Sequence, residues 1–569
     1  MSWKQIYDPI GDSIGLSALV ALIPILYLLW ALAINRMKGY IAGLTTLVVA
    51  LFVAVLVYGM PTGMAAMSIL QGAVYGLLPI GWIIVASVFL YKLSVKTGQF
   101  DIIRDSIVSI TEDRRLQALL IAFSFGAFLE GAAGFGAPVA ISAALLVGLG
   151  FNPLYAAGLC LLANTAPVAF GAIGSPVIAI EGPTGMSAIE VSKVVGRQLP
   201  FLSVFVPFYL VVMMAGFKKA FEVIPAILVS GVSFAVTQFL VSNYLGPELP
   251  DIISALVSII ALTLFLKVWQ PKTAFRFKSE MGQAEMAAGN AESIHVIKSD
   301  GKKTYTFPQI LKAWSPFIVL TFIISVWGIP TIKKALIGQY EGTNTLLQWL
   351  NSLGSYLSFH PAVPGLNNLI IDGNGQPIAA LFKLELLAAA GTAILISAII
   401  SKFILKISWK SWFSTFIETL KELKFALVTI ASVVGFAYVA NASGMSITLG
   451  MTLAATGSLF PFVSPILGWL GVFLTGSDTS ANLLFSSLQK ITANQVGMDP
   501  ILAIAANSSG GVTGKMISPQ SIAVACAAVG LGGKESDLLR FTIKHSIILL
   551  LIICCITYLQ STVLSWMLP

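Results

Sequence analysis

Apolar residues run along this chain in long unbroken stretches instead of alternating with polar ones. SIGLSALVALIPILYLLWALAI (13–34), PDIISALVSIIALTLFLKVW (250–269) and HSIILLLIICCITYLQSTVLSW (545–566) are examples. Stretches of about 20 apolar residues are long enough to cross a bilayer as helices. The pattern predicts an all-α polytopic membrane protein with about twelve transmembrane helices plus two re-entrant hairpins. Residues 116–150 hold two apolar halves parted by GAAGFGAP, too glycine-rich for one helix, and read as the first hairpin. Residues 467–490, with a tip near TGSDTSAN (475–482), read as the second. Two spans, 154–180 and 500–525, are expected to break at NTAPVAFG and NSSGGVTG. Irregular backbone at membrane depth persists only where it lines protein or a water-filled cavity, so these breaks predict one site near the midplane.

The chain also repeats itself weakly. ASVFLYKLSVKTG begins at Ala86 and ASVVGFAYVANASG at Ala431, while GAFLEG ends at Gly131 and GVFLTG at Gly476; both pairs stand 345 residues apart. LLANTAPVAFGAIGSP (161–176) has its counterpart in IAANSSGGVTGKMISP (504–519), pairing Asn164 with Asn507, Gly171 with Gly514 and Ser175 with Ser518. After the first copy's opening helix comes DIIRDSIVSITEDRR, heavily charged, whereas SITLGMTLAATGSLF in the second copy carries no charge. Equivalent elements on opposite membrane faces would explain the contrast, which makes this an inverted repeat of the secondary-transporter kind. The expected division is scaffold helices over 1–70, a first repeat over 71–180 and further scaffold over 181–424. A second repeat over 425–525 and a C-terminal helix over 526–569 complete it. The scaffold carries an inner loop, 268–306, and an outer loop, 337–380.

Charge sets the orientation. Arg36, Lys38, Lys92, Lys96, Lys218, Lys219, the loop 267–305, Lys402 to Lys424 and Lys534 to Lys544 fall on one side. The positive-inside rule makes that side cytoplasmic and puts both termini outside. The first apolar run follows MSWKQIYDPIGD without a convincing n-region or cleavage site, so no cleavable signal peptide is expected. Only 10% of residues are charged against 57% hydrophobic, and the mean hydropathy is +0.90. The net charge of +8 is therefore read as loop charge, not as a nucleic-acid surface. Cys160, Cys526, Cys554 and Cys555 lie in apolar segments as small fillers, and His295, His360 and His545 are far apart, so no metal site is expected. GAAGFG follows no strand and no P-loop pattern occurs, which argues against nucleotide binding or ATP drive. No cofactor is expected; an ion gradient is.

An anionic substrate in a membrane needs donors and positive potential, which half-helix N-termini supply. Asn164, Thr165, Asn507, Ser508 and Ser509 add side-chain donors at the breaks, and Gly171, Gly510, Gly511 and Gly514 allow close backbone approach. The competing reading is small-residue helix packing. Glu130 and Asp478 mark the two hairpin tips. A charge at the bilayer centre costs at least ~2.5–3.5 kcal/mol, so each needs a reason, either proton coupling or a structural one such as an N-cap at Asp478. Lys515 is a counter-ion for a bound carboxylate, a partner of Asp478, or a snorkelling residue. Ser518 and Gln520 are candidates for a substrate hydroxyl.

FLEGAAGFGAPVAISAALL, ANTAPVAFGAIGSP, TGSDTSANLLF, NSSGGVTGKMISPQSIAVA and QGAVYGLLPIGWIIVASVFLYK together resemble the bacterial L-lactate permease family over essentially the whole chain. The resemblance implies uptake of L-lactate, with glycolate and related 2-hydroxy monocarboxylates, in symport with protons across the plasma membrane. The Ala-Asn-Thr and Ala-Asn-Ser triplets are also similar to the Ser-Asn-Thr signatures of sodium-coupled dicarboxylate carriers. That likeness implies an elevator-like arrangement in which the two repeats move against the other helices. Three readings compete with proton symport: a sodium-coupled carboxylate carrier, a channel, and a membrane-embedded enzyme using Glu130 and Asp478. The last has no nucleophile set beside a base.

Overall fold

The computed structural model describes residues 2–35, 37–134, 136–277 and 305–569. Arg36, Phe135, most of the expected inner loop 268–306 and His295 lie outside the described residues. Eleven described helices are long and apolar enough to cross a membrane, twelve if one bent pair counts as a span. The chain is a multi-pass, all-α membrane protein.

Both copies of the repeat follow one order. In the first, the span Thr62–Lys96 leads to the amphipathic helix Gln99–Val108, and a hairpin of Arg114–Ala132 and Ala137–Gly148 follows. A broken span, Pro153–Ala163 and Val168–Ile178, bends by 65°. In the second, Trp409–Ser443 leads to Met445–Leu453, then a hairpin of Phe460–Thr475 and Asp478–Val496. Pro500–Lys515 and Pro519–Ala528 close the copy. The last span of each copy opens alike. Asn152 accepts from the amides of Leu154 and Tyr155, and Asp499 from those of Ile501 and Leu502, each cap followed by a proline at the first helical position.

Two expectations need correction. The second hairpin spans 460–496, longer than the expected 467–490. NSSGGVTG does not interrupt its span: the helix runs unbroken to Lys515, and the break falls at 516–518. The glycines there serve packing instead. A Cβ at Gly510 would stand 2.1 Å from the Pro465 carbonyl oxygen, and one at Gly514 2.4 Å from that of Trp469. Backbones that close need hydrogen in place of a side chain, and a packed neighbour keeps the helix straight.

Polar contacts fix which end of each hairpin lies where. At the base of the first, buried Arg115 donates to both oxygens of Asp113, to Glu222 and to the carbonyls of Lys219 and Thr273. At the second hairpin, Lys490 donates to the Thr184 carbonyl at 2.7 Å and Ser487 to that of Pro183 at 2.7 Å. The 28-residue helix Ala188–Ala215 separates the Thr184 end from the Lys219 end. A helix of that length spans about 40 Å. The two hairpins therefore enter from opposite faces, as an inverted repeat demands.

The N-terminal segment and the loop 337–380 share the Thr184 face. Trp3–Lys4 pairs in parallel with Ile370–Ile371, and Gln5 donates to the carbonyls of Asn441 and Ala442. The opposite face carries Lys92 paired with Glu422, Lys96 with Glu418, and the Arg115 cluster.

Candidate substrate site between the hairpin tips

The hairpin tips and the two broken spans meet at a cavity of about 550 Å³, counting its open mouth. Glu130 and Asp478 both line it and are each 3% exposed. Lys515 lines it too, at the C-terminal end of Pro500–Lys515, and its Nζ donates to Glu130 Oε1 at 2.6 Å. An ion pair therefore joins copy two to copy one across the cavity.

The two acids have parallel supports. Asn164 Nδ2 donates to Glu130 Oε2 at 2.9 Å, and Ser508 Oγ donates to Asp478 Oδ2 at 2.7 Å. Each donor comes from the span that follows the hairpin in its own copy. Each acid also lies against a glycine. A Cβ at Gly171 would fall 2.6 Å from Glu130 Oε1, and one at Gly511 2.3 Å from Asp478 Oδ1. Their helices treat them differently. Asp478 opens its helix, where the dipole favours an anion, whereas Glu130 sits in the last turn of Gly126–Ala132, where it does not. Glu130 depends on Lys515 for charge balance; Asp478 does not. Ser477, not Asp478, is the N-cap, accepting from the Ser480 amide.

The ends of three helices line the rest: Gly136 ahead of Ala137–Gly148, Ser477 to Thr479 in the second hairpin, and Gln520 and Ser521 in Pro519–Ala528. These three are N-termini, whose dipoles favour an anion, while Glu130 and Lys515 mark the C-terminal ends of their helices. On the first broken span, Ala172, Ile173 and Gly174 take positive φ of 44°, 55° and 72°. Two non-glycine residues held there cost roughly 1–3 kcal/mol each and are kept by the packing around them.

Of the residues expected to bind substrate, Gly171, Lys515 and Gln520 line the cavity, while Asn164 and Ser508 reach it through the acids they hold. Asn507 does not line it; it donates to Asn482 Oδ1 and accepts from Gln489, tying hairpin to span. Ser518 is the N-cap of Pro519–Ala528, and Gly514 packs against Trp469. Thr165 and Ser509 are buried away from the lining. Ser175, Thr479 and Ser521 line the cavity without having been expected, and Ser175 and Thr479 approach to 3.4 Å across it. Nothing in their sequence setting marks these hydroxyls off from many similar ones.

Residues 17–564 match the profile of the L-lactate permease family. The chain belongs to that family. It is 69% identical over 570 residues to an L-lactate permease of Bacillus subtilis, covering all of both chains. It is 54% identical to the glycolate permease GlcA of Escherichia coli, again over the whole of both, and 40% identical to an L-lactate permease of Halalkalibacterium halodurans over 98% of this chain and 99% of that one. As a member of the L-lactate permease family the protein is a carrier, not an enzyme. In the cavity between its hairpin tips both copies present charged side chains to a common space: Glu130 from the first, Asp478 and Lys515 from the second.

Proposed function

We propose that this protein takes up L-lactate, and glycolate as a related 2-hydroxy monocarboxylate, together with a proton across the bacterial plasma membrane. The single observation that carries the mechanism is the buried Lys515–Glu130 pair on the cavity wall. A substrate carboxylate competes with Glu130 for Lys515. A Glu130 deprived of its cation is an uncompensated charge in a low-dielectric site, and it takes a proton instead. Substrate and proton thus load together because each makes room for the other. Gln520, Ser521, Ser175 and Thr479 supply partners for the 2-hydroxyl. Asp478, held by Ser508 and favoured by its helix, stays as fixed negative charge.

The supporting similarities are the family and the permeases named for lactate and glycolate. In this reading the Arg115 face is cytoplasmic, by the positive-inside rule, and both termini are outside. The repeats 71–180 and 425–525 move as the transport domain against the remaining helices, and the proton gradient replaces any cofactor.

The test is labelled L-lactate uptake into proteoliposomes under an imposed pH gradient or an imposed sodium gradient. Accumulation under the pH gradient alone, lost in Glu130→Gln, is the expected result. Accumulation that needs sodium would replace proton coupling by sodium coupling, and none under either gradient would remove the substrate assignment.

A further inference from the structure

Asp251 has no role in the mechanism above. It is the second residue of helix Pro250–Val268 and 1% exposed, and neither carboxyl oxygen has a hydrogen-bond partner among the described residues. Glu130, by contrast, has donors on both oxygens. An ionised carboxylate without a single donor would lose its hydration for nothing in return, beyond the modest help of its helix dipole. A carboxylic acid that carries its proton fits such surroundings.

Its place is equally specific. Gly131, next to Glu130, lets the two helices meet there: a Cβ at 131 would stand 2.7 Å from the Asp251 Cβ and 3.0 Å from Ile252 Cγ1. The charged groups that face Asp251 are Glu130 and Lys515. Other elements packed against its helix, 118–125, 171–178 and 224–244, contain no Asp, Glu, Lys, Arg or His. On the other side the chain folds inward. Gly246, Pro247 and Leu249 are buried, and the Pro247 carbonyl lies against Gly174. Half-buried Glu248, three residues before Asp251, has Lys333 and Glu181 as charged neighbours on the face that carries the N-terminus. Asp251 therefore sits between the cavity acid Glu130 and the buried turn that leads to the face carrying the N-terminus.

We propose that Asp251 is the proton-delivery residue of this carrier, holding the proton that Glu130 takes when substrate draws Lys515 away. The idea rests on the symport reading above. In the step, the Asp251 O–H bond breaks and an O–H bond forms on Glu130, leaving a carboxylate at Asp251. That carboxylate is refilled with one proton from the outer medium. One proton leaves the medium for each carboxylate loaded.

The experiment compares the full-length protein with its Asp251→Asn and Asp251→Glu variants in proteoliposomes, in two modes. Accumulation under a pH gradient needs proton delivery in every cycle; exchange of labelled for unlabelled lactate at equal pH does not, because Glu130 can keep its proton. Asn should lower accumulation at least about a hundredfold, the scale of a lost proton-transfer group, while exchange stays near the parent's rate. Glu should restore accumulation. An Asn variant that accumulates lactate like the parent, or that folds and loses exchange as well, overturns the proposal. Should the Asn variant not fold, infrared spectra of the parent and the Glu variant decide: a protonated-carboxyl carbonyl band that shifts with the substitution supports it, and absence of that band overturns it. Failure of the parent itself to accumulate lactate under a pH gradient would sink the symport reading, a result distinct from any obtained with the variants.

Discussion

In the proposed symport Lys515 holds two anions in turn, and that sets what its loss should do. Lys515→Met leaves Glu130 buried without its cation, and breaking such a pair by removing one partner costs about 3–5 kcal/mol. The double variant Lys515→Met/Glu130→Gln removes both charges and should regain most of that stability, read as the thermal unfolding temperature in detergent. A double variant no more stable than Lys515→Met would show that the pair does not govern the fold here. Binding gives a second handle. If one proton is taken up with each lactate, affinity in the native protein weakens as pH rises, by up to about tenfold per unit, because the deprotonated site binds poorly. Glu130→Gln mimics the protonated acid, so its lactate affinity, measured by calorimetry, should be flat with pH; a retained slope would assign the coupled proton elsewhere. Glu130, Asp478 and Lys515 were all legible in the sequence, since a charge amid apolar residues needs a reason. Asp251 was not. It stands in SNYLGPELPD (242–251), which reads as an ordinary polar connection, and only the folded chain shows that its end, from Leu249 to Asp251, turns inward and is buried.

At the scale of elements, hairpins and breaks were read from glycine-rich strings, and one string misled. GAAGFGAP does turn the chain, with Gly134 and Gly136 at φ of 59° and 84°. NSSGGVTG looks the same on paper but is a straight helix pressed against Phe460–Thr475. Composition says that side chains are small; it does not say whether backbone bends or another helix comes close. The distinction can be tested at Gly468, whose Cβ would stand 1.8 Å from the Asn507 carbonyl oxygen. Backbone, unlike a side-chain tip, cannot swing aside, so Gly468→Ala must part the two helices. Overpacking of this kind costs typically 1–3 kcal/mol. The variant should unfold at lower temperature than the parent and lose lactate affinity, since the same contact positions Ser508 and Lys515. Gly497→Ala, at a positive φ of 73° with open space around its Cβ position, is the control: it should lose stability through backbone strain but keep its affinity. Equal loss of affinity in both would mean that destabilisation in general, not this contact, disturbs the site.

Across the whole molecule, the charge inside the proposed transport domain decides what can drive it. Without substrate the cavity holds Lys515 paired with Glu130. In the proposed loaded state it holds Lys515 paired with the lactate carboxylate, and Glu130 neutral. The sum is the same in both, so neither the loaded nor the empty carrier moves a different charge across the bilayer. A charge that crosses a membrane potential gains or loses about 2.3 kcal/mol per 100 mV, but a cycle with no net charge movement gains nothing from it. A potassium diffusion potential imposed on proteoliposomes at equal pH should therefore produce no lactate accumulation in either polarity. A pH gradient without a potential should produce it. Accumulation driven by an inside-negative potential alone would mean that more than one proton accompanies each lactate. Asp478, the other acid on the cavity wall with an unpartnered oxygen, is where the second would bind, and Asp478→Asn should then return the carrier to electroneutral transport. The inverted repeat makes that outcome physically reasonable, because it provides each copy with one hairpin-tip acid and one donor while the single lysine on the cavity wall pairs with Glu130 alone.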